Sequence, residues 1–153
     1  MEVVPIYAGL PQTTDAARGL TLLRSGSAQS LATMNLKPED RSMVVWASKE
    51  VCASLTSAKP EEIAVEIEGL ALHYPAFNRT PQESRVANAH WLDDLEDWPL
   101  DLIRDACRKW RNSPERYFPT PGQLKALSSP ELVARRVLAD RAAEFLRLVD
   151  VAA

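Results

Sequence analysis

Apolar residues recur every three or four positions along most of this chain, which is the spacing of a helix that buries one face. No run alternates between apolar and polar residues for long enough to predict a strand. The pattern therefore predicts an all-α fold. The clearest apolar stripes are Val44, Ala47, Val51 and Leu55; Ile63, Ile67, Leu70 and Tyr74; Ala87, Trp91, Leu95 and Trp98; Ile103, Ala106 and Trp110; and Ala134, Leu138, Ala142, Phe145 and Val149.

Prolines mark where these helices begin. Proline precedes acidic or polar residues in the strings KPED, KPEE, TPQE, WPLD, SPER, TPGQ and SPEL. It suits the first helical position, where its missing N–H would have no partner, and acidic residues there favour the helix dipole. Thr80 and Glu83 fit a capping box, in which each side chain accepts a hydrogen bond from the other residue's backbone N–H. These signals predict helices near residues 39–57, 61–74, 82–96, 100–112 and 130–149, with a short turn of helix at 121–127.

The first 36 residues have a different character. They hold three of the five glycines and only four charged residues, and the sequence Ser25-Gly26-Ser27 interrupts a weak helical pattern. We expect a flexible or weakly helical arm at 1–36, with one short helix around 13–24, that is dispensable for folding. Residues 37–153 are predicted to form a single helical domain, because short helices need a shared core. The expected fold is a compact bundle of about five short helices with a loosely ordered N-terminal arm.

Composition narrows the class of protein. The chain has 153 residues, of which 46% are apolar and 25% charged, an ordinary balance for one globular domain. Its net charge of -3 gives no general attraction to nucleic acid or to anionic membranes, so any such binding needs a local patch. We expect a cytoplasmic protein without a membrane partner, because neither a secretory signal nor a stretch of ~20 apolar residues is visible. Cys52 and Cys107 are predicted to be small core residues of a reduced protein.

Motifs for catalysis or cofactor binding are missing from the sequence. HExxH, CxxC, GxSxG, GxxxxGKS and GxGxxG do not occur. His90 has helical spacing to Asp93 and Asp94, but a metal site needs three or four ligands, so a solvated helix surface is the favoured interpretation. The acidic cluster at residues 93–97 could do acid-base or magnesium chemistry, yet such clusters are more often a solvated polar face. We therefore predict a protein that is not an enzyme and takes no cofactor, metal or small-molecule substrate.

The sign of the charge reverses between residues 91–101, which hold five acids and no base, and residues 102–116, which hold five bases against two acids. Arg104, Arg108 and Arg111 are spaced to line one helix face, opposite the apolar stripe. The simplest interpretation is a solvated basic face paired with the preceding acidic helix end. The functional interpretation is a docking surface, and a third, disfavoured by the overall acidity, is a phosphate-contacting helix. The candidate partner-binding residues are Arg104, Arg108, Lys109, Arg111, Asp94 and Asp97.

The string LALHYPAFNRTPQESRVANAHWLDDLEDWPLDLIRDACRKWRNSPERYFPTPGQLKAL, residues 70–127, resembles the small bacteriophage helicase loader/inhibitor proteins. The similar features are the pairs Tyr74-Pro75, Trp98-Pro99 and Phe118-Pro119, together with three single apolar positions. The resemblance spans about residues 61–127. It departs at both ends, since some 60 residues precede it and a patterned helix follows where the family has a flexible helicase-contacting tail. The positions that the resemblance implies are core are the three single ones, Trp91, Leu95 and Ala106, and Phe118 of the last pair.

This resemblance implies a phage or prophage adaptor that binds the replicative DNA helicase, loads or inhibits it during DNA replication, and meets DNA only through that complex. Two alternatives remain open. A helical nucleic-acid-binding module would use Arg104, Arg108, Lys109 and Arg111 and would bind with a steep salt dependence. A protein inhibitor of another host enzyme cannot be distinguished from the adaptor by sequence.

Overall fold

The computed structural model describes residues 14–75 and 79–151, and these residues form helices joined by short loops and contain no strand. The all-α prediction is confirmed. Eight helices lie in the described ranges: the five predicted for the bundle, the two short helices expected near 13–24 and 121–127, and α2, which was not predicted. They are α1 (Thr14–Ser25), α2 (Ala28–Thr33), α3 (Pro38–Ala53), α4 (Pro60–Ala71), α5 (Pro81–Leu95), α6 (Leu100–Arg111), α7 (Pro121–Ala126) and α8 (Ser129–Val151).

The helix starts follow the predicted chemistry. Proline occupies the first turn of α3, α4, α5 and α7. The Thr80–Glu83 capping box is present: the Thr80 N–H donates to Glu83 Oε2 at 2.7 Å, and the Glu83 N–H donates to Thr80 Oγ1 at 3.2 Å. Thr120 and Gln123 form a second box at the start of α7. These side chains satisfy backbone donors that have no partner inside the helix, which fixes where each helix begins.

The chain divides into two compact units. The described part of unit 1 comprises residues 14–55 and 133–151, and unit 2 comprises Thr56–Leu132 with its undescribed residues 76–78 left aside. Helices α1, α2 and α3 belong to unit 1, α4 to α7 belong to unit 2, and α8 begins in unit 2 and continues into unit 1. The core of unit 1 consists of Leu20, Leu23, Ala28, Leu31, Val44, Ala47, Val51, Leu138, Ala139, Ala142 and Phe145.

The prediction of a loosely held arm at 1–36 needs correction for residues 14–36. The helix expected around 13–24 is present as α1, but α1 and α2 both contribute buried residues to the core of unit 1. The Ser-Gly-Ser sequence is not a loose break, because Ser27 caps α2 by accepting a hydrogen bond from the Ser30 N–H at 3.1 Å. Residues 1–13 of the predicted arm lie outside the described residues. That residues 37–153 fold as one domain stays a prediction.

Gly19 shows why α1 can pack so tightly on α3. A Cβ atom at this position would lie 2.4 Å from the backbone oxygen of Met43 and 3.1 Å from Cβ of Ala47. Only a residue without a side chain allows this approach between two helix backbones. Gly19, one of the three glycines for which residues 1–36 were expected to be loosely ordered, is therefore a packing residue.

We expect Gly19→Ala to destabilise the protein by about 1–3 kcal/mol, because the added methyl group must push α1 away from a backbone that cannot move aside. Gly69→Ala in α4 is the matched control, since a Cβ there would meet no atom within 4 Å. Alanine should stabilise α4 by up to about 1 kcal/mol relative to glycine. Thermal and urea unfolding would measure both variants, and equal effects of the two substitutions would contradict the close packing.

Arginine side chains of α8 cap other helices of unit 1. Arg135 is buried, and its Nη1 donates to the backbone oxygen of Ser54 at the end of α3, at 3.0 Å. Arg141 donates to the carbonyls of Leu23 and Arg24 at the end of α1. Cationic donors suit carbonyls at helix ends, which lack intrahelical partners. The predicted stripe of α8 also needs correction, because Ala134 is exposed and Arg135 is buried in its place.

Unit 2 is built around α4 and α6. Helix α4 packs against α5 and α6, while α7 packs against α5 and α6. The Ala58 N–H donates to the carbonyl of Trp98 at 2.8 Å, and Trp110 Nε1 donates to the carbonyl of Tyr117 at 3.1 Å.

Both cysteines are free thiols. Cys107 is buried, as predicted, and burial raises the pKa of its thiol to about 11, whereas Cys52 is only half-buried. None of the helices described is long and apolar enough to cross a membrane.

Candidate docking surface on helix α6

Helix α6 has a strictly divided surface. One face is buried, and the opposite face carries Arg104, Arg108 and Arg111, all exposed, as their spacing predicted. With Lys109 these residues are called the basic ridge below. The apolar face packs because its residues recur with the helical period, which leaves the arginines pointing away from the core. The buried residues of α6 are Leu102, Ile103, Ala106, Cys107 and Trp110.

Two arginines of the basic ridge form ion pairs within unit 2. Arg104 Nε lies 2.6 Å from Glu66 Oε1 on α4, and Arg108 Nη2 lies 2.5 Å from Asp105 Oδ1. The hydrogen bond to Glu66 and its negative charge raise the pKa of Arg104 above its usual value. The two arginine side chains are still 60% and 56% exposed. A partner could therefore reach both guanidinium groups while the pairs are formed.

Lys109 has a different environment from the three arginines. Its side chain is 29% exposed, and its Nζ lies 2.6 Å from Asp105 Oδ2 and 3.0 Å from Glu131 Oε1. The same Nζ donates to the carbonyl of Leu127 at 3.0 Å, and Ser128 Oγ donates to Asp105 Oδ2 at 3.2 Å. These contacts tie α6 to the start of α8 inside unit 2. Lys109 is thus engaged in holding helices together, while the arginines face outward.

The pKa shifts of this cluster follow from competing effects. Burial alone would raise the pKa of Asp105, but hydrogen bonds from Lys109, Arg108 and Ser128 and the charge of Lys109 outweigh it, so the pKa is lowered. Burial alone would lower the pKa of Lys109, but its bonds to Asp105 and Glu131 raise it. Both shifts favour the charged forms, which stabilise one another.

We expect Asp105→Asn to lower the stability at pH 7 by about 1.5–3 kcal/mol, the range for hydrogen bonds to charged groups. The folded-state pKa of Asp105 lies below the unfolded value of about 3.9. Its contribution is therefore present above that value and is lost as the pH falls through the folded-state pKa. Urea unfolding from pH 7 to pH 3 should show the variant and the original protein converging in acid. Asp93→Asn, exposed on α5, is the control; a constant stability gap for Asp105→Asn would contradict the linkage.

The acidic candidates Asp94 and Asp97 lie at the C-terminal end of α5 and just after it, and both are exposed. The carboxylates that contact Arg104, Arg108 and Lys109 are instead those of Glu66, Asp105 and Glu131. Sequence reasoning missed Glu66 and Glu131, which lie 38 and 22 positions from their partners. No local spacing signals such pairs. Asp105 could have been found, since it stands three and four positions before Arg108 and Lys109.

The aromatic residues that carry the resemblance form a cluster inside unit 2. The rings of Tyr74 and Phe118 lie 6.2 Å apart and those of Trp91 and Phe118 lie 5.6 Å apart, both edge to face. Trp91, Leu95 and Ala106 are buried, as the resemblance implied, and Phe118 is half-buried. Edge-to-face pairs add stability beyond the area they bury. These positions therefore contribute to the packing of unit 2.

The described ranges offer few side chains that could bind a metal ion together. His73 and His90 are exposed there, and those ranges contain no group of three or more His, Cys, Asp or Glu residues that could hold an ion. No family model, curated protein or solved structure matches the chain. The candidate surface in unit 2 is the exposed arginine face of α6.

Proposed function

We propose that this chain is a non-catalytic adaptor that binds the replicative DNA helicase and loads or inhibits it during phage DNA replication. The observation that carries the proposal is the extent of the resemblance. It spans about residues 61–127, and the chain forms a compact unit over Thr56–Leu132, with α4 to α7 around one interior. A segment that folds as one unit is a reasonable carrier of one binding function.

The basic ridge supports a protein partner for unit 2. Arginine is enriched among residues that dominate interface energies, since its planar guanidinium binds carboxylates with two parallel hydrogen bonds. Arg104 and Arg108 already pair with acids of the chain, so a partner must compete with those contacts. Exposed ion pairs contribute only about 0–1 kcal/mol each. Exchanging them for acidic groups on a helicase therefore costs little.

Binding to a purified hexameric replicative helicase tests the proposal, with isothermal titration calorimetry for affinity and helicase ATPase and DNA unwinding as readouts. We expect the unmodified chain to bind and to change the unwinding rate. Replacing Arg104, Arg108 and Arg111 by Glu should weaken binding by at least a hundredfold, because three favourable charges become repulsive. Folding should change little, since these side chains are exposed.

The matched control replaces Lys49, Arg85 and Arg116 by Glu, which changes the net charge equally at exposed positions elsewhere. It should keep full binding. A helicase that ignores the unmodified chain would refute the adaptor function itself. If the triple arginine variant binds as well as the control, the adaptor uses another surface. If the chain binds bare DNA with a steep salt dependence that the variant loses, the nucleic-acid-binding module replaces the adaptor.

A further inference from the structure

Helices α1 and α3 of unit 1 leave a groove between them with a volume of about 400 Å³. All residues that line the groove belong to unit 1, whereas the basic ridge belongs to unit 2. Its size falls in the range of small binding clefts. The residues that line it are Asp15, Ala16, Glu39, Ser42, Met43 and Trp46.

The groove has an apolar floor. Helix α3 turns Val44 and Ala47 fully into the core, whereas the neighbouring Met43 and Trp46 remain half-buried and line the groove. A thioether and an indole together provide a polarisable surface that adapts to an inserted apolar side chain. Trp is also among the residues most enriched in interface hot spots. The floor therefore fits one aliphatic or aromatic side chain.

The charge of the groove has one sign. The two charged residues among those that line it are Asp15 and Glu39, and both are exposed. Each lies in the first turn of its helix, where an acid also favours the helix dipole, but the carboxylates remain accessible to a partner. The nearby Arg18 is 2.7 Å from Asp40, so its charge is balanced by an acid that does not line the groove. Charge complementarity thus favours basic groups beside the inserted side chain.

We propose that this groove binds a segment of a partner protein that inserts an apolar side chain flanked by Lys or Arg. The apolar side chain would rest on Met43 and Trp46, and the flanking cations would face Asp15 and Glu39. This inference goes beyond the adaptor function and does not depend on it. The residues of the groove belong to unit 1, and the expected ligand is defined only by an apolar side chain next to Lys or Arg.

A library of random 12-residue peptides displayed on phage, selected against the immobilised full-length chain, tests the proposal. The recovered peptides should carry Lys or Arg next to a large apolar residue. The double variant Asp15→Lys, Glu39→Lys should bind them at least tenfold more weakly. Ser42→Arg, which fills the groove from an exposed position, should also weaken them at least tenfold. The charge-matched control Glu68→Lys, Asp93→Lys changes exposed acids of unit 2 and should bind them like the original chain.

Other outcomes would overturn the proposal. A selection that yields no binder, peptides without basic residues, or peptides that bind the double variant unchanged would each do so. Sedimentation that shows a dimer lost in the Asp15→Lys, Glu39→Lys variant would assign the groove to a second copy of the chain. Peptide binding that requires prior removal of residues 1–13 would assign it to the chain's own N-terminal segment.

Discussion

Deleting residues 1–30 is expected to abolish the cooperative unfolding of unit 1. The deletion removes α1, with Leu20 and Leu23 buried in the core, and the first half of α2. Losing one buried leucine costs about 2–5 kcal/mol. Two such losses, together with the core surface of α3 that α1 covers, approach the whole stability of a small protein, about 5–15 kcal/mol. Circular dichroism should show a loss of helix content larger than the deleted residues account for, and calorimetry should show a missing or strongly shifted transition.

The control for this deletion leaves α1 in place and changes only exposed positions. Thr21→Ala combined with Ser25→Ala removes two side chains whose hydroxyls bond only to carbonyls of their own helix. Substitutions of this kind usually change stability by less than about 0.5 kcal/mol. A truncated chain that melts at the same temperature as this control would show that α1 contributes nothing to the core, and the original expectation of a dispensable arm would stand.

The helices of the second half of the chain could be predicted because two independent signals agreed. Thr80, Pro81 and Glu83 mark the start of α5, and the stripe through Trp91 and Leu95 marks its buried face. Capping fixes a helix end through local hydrogen bonds, and apolar spacing fixes which face packs. Both effects are properties of neighbouring residues, so the sequence alone carries them.

The packing of α1 could not be predicted in this way. Gly19 lowers helix propensity locally, and its benefit appears only when Met43 of α3 is brought within contact distance. Arg141 likewise gives no local signal, although it caps the end of α1 from 117 positions away. Close backbone approach and long-range capping are tertiary effects that override local preference. For this reason the sequence predicted a loosely ordered segment at 14–36, whereas α1 and α2 contribute to the core of unit 1.

In the candidate site, too, the local features could be predicted from the sequence and the tertiary contacts could not. That Arg104, Arg108 and Arg111 share an exposed face follows from helical period alone. Lys109, in contrast, pairs with Asp105 and Glu131. Its contact with Glu131 depends on the tertiary position of the start of α8, which helical period does not give. The sequence thus predicted the direction of the side chains on α6 but not their partners. Among the four bases of the ridge, the three arginines are consequently the ones whose replacement reports on binding.

Trp91→Ala is expected to destabilise the protein by about 3–5 kcal/mol, the usual cost of truncating a buried aromatic residue. Trp91 and Leu95 are the buried residues of α5, so the attachment of this 15-residue helix depends on few side chains. The substitution also removes the edge-to-face contact with Phe118 at 5.6 Å. We expect a lower melting temperature in calorimetry, and faster hydrogen exchange at the amides of α5 than elsewhere in unit 2.

Two further variants separate this cause from a general loss of helix. His90→Ala changes the exposed neighbour of Trp91 and should leave the stability within about 0.5 kcal/mol of the original. Trp91→Phe keeps an aromatic ring next to Phe118 and should recover part of the loss, because much of the apolar contact remains. A melting curve unchanged by Trp91→Ala would place this residue outside the core. The aromatic positions that carry the resemblance to helicase loaders would then not be explained as core residues. The adaptor proposal, which is based on that resemblance, would lose support.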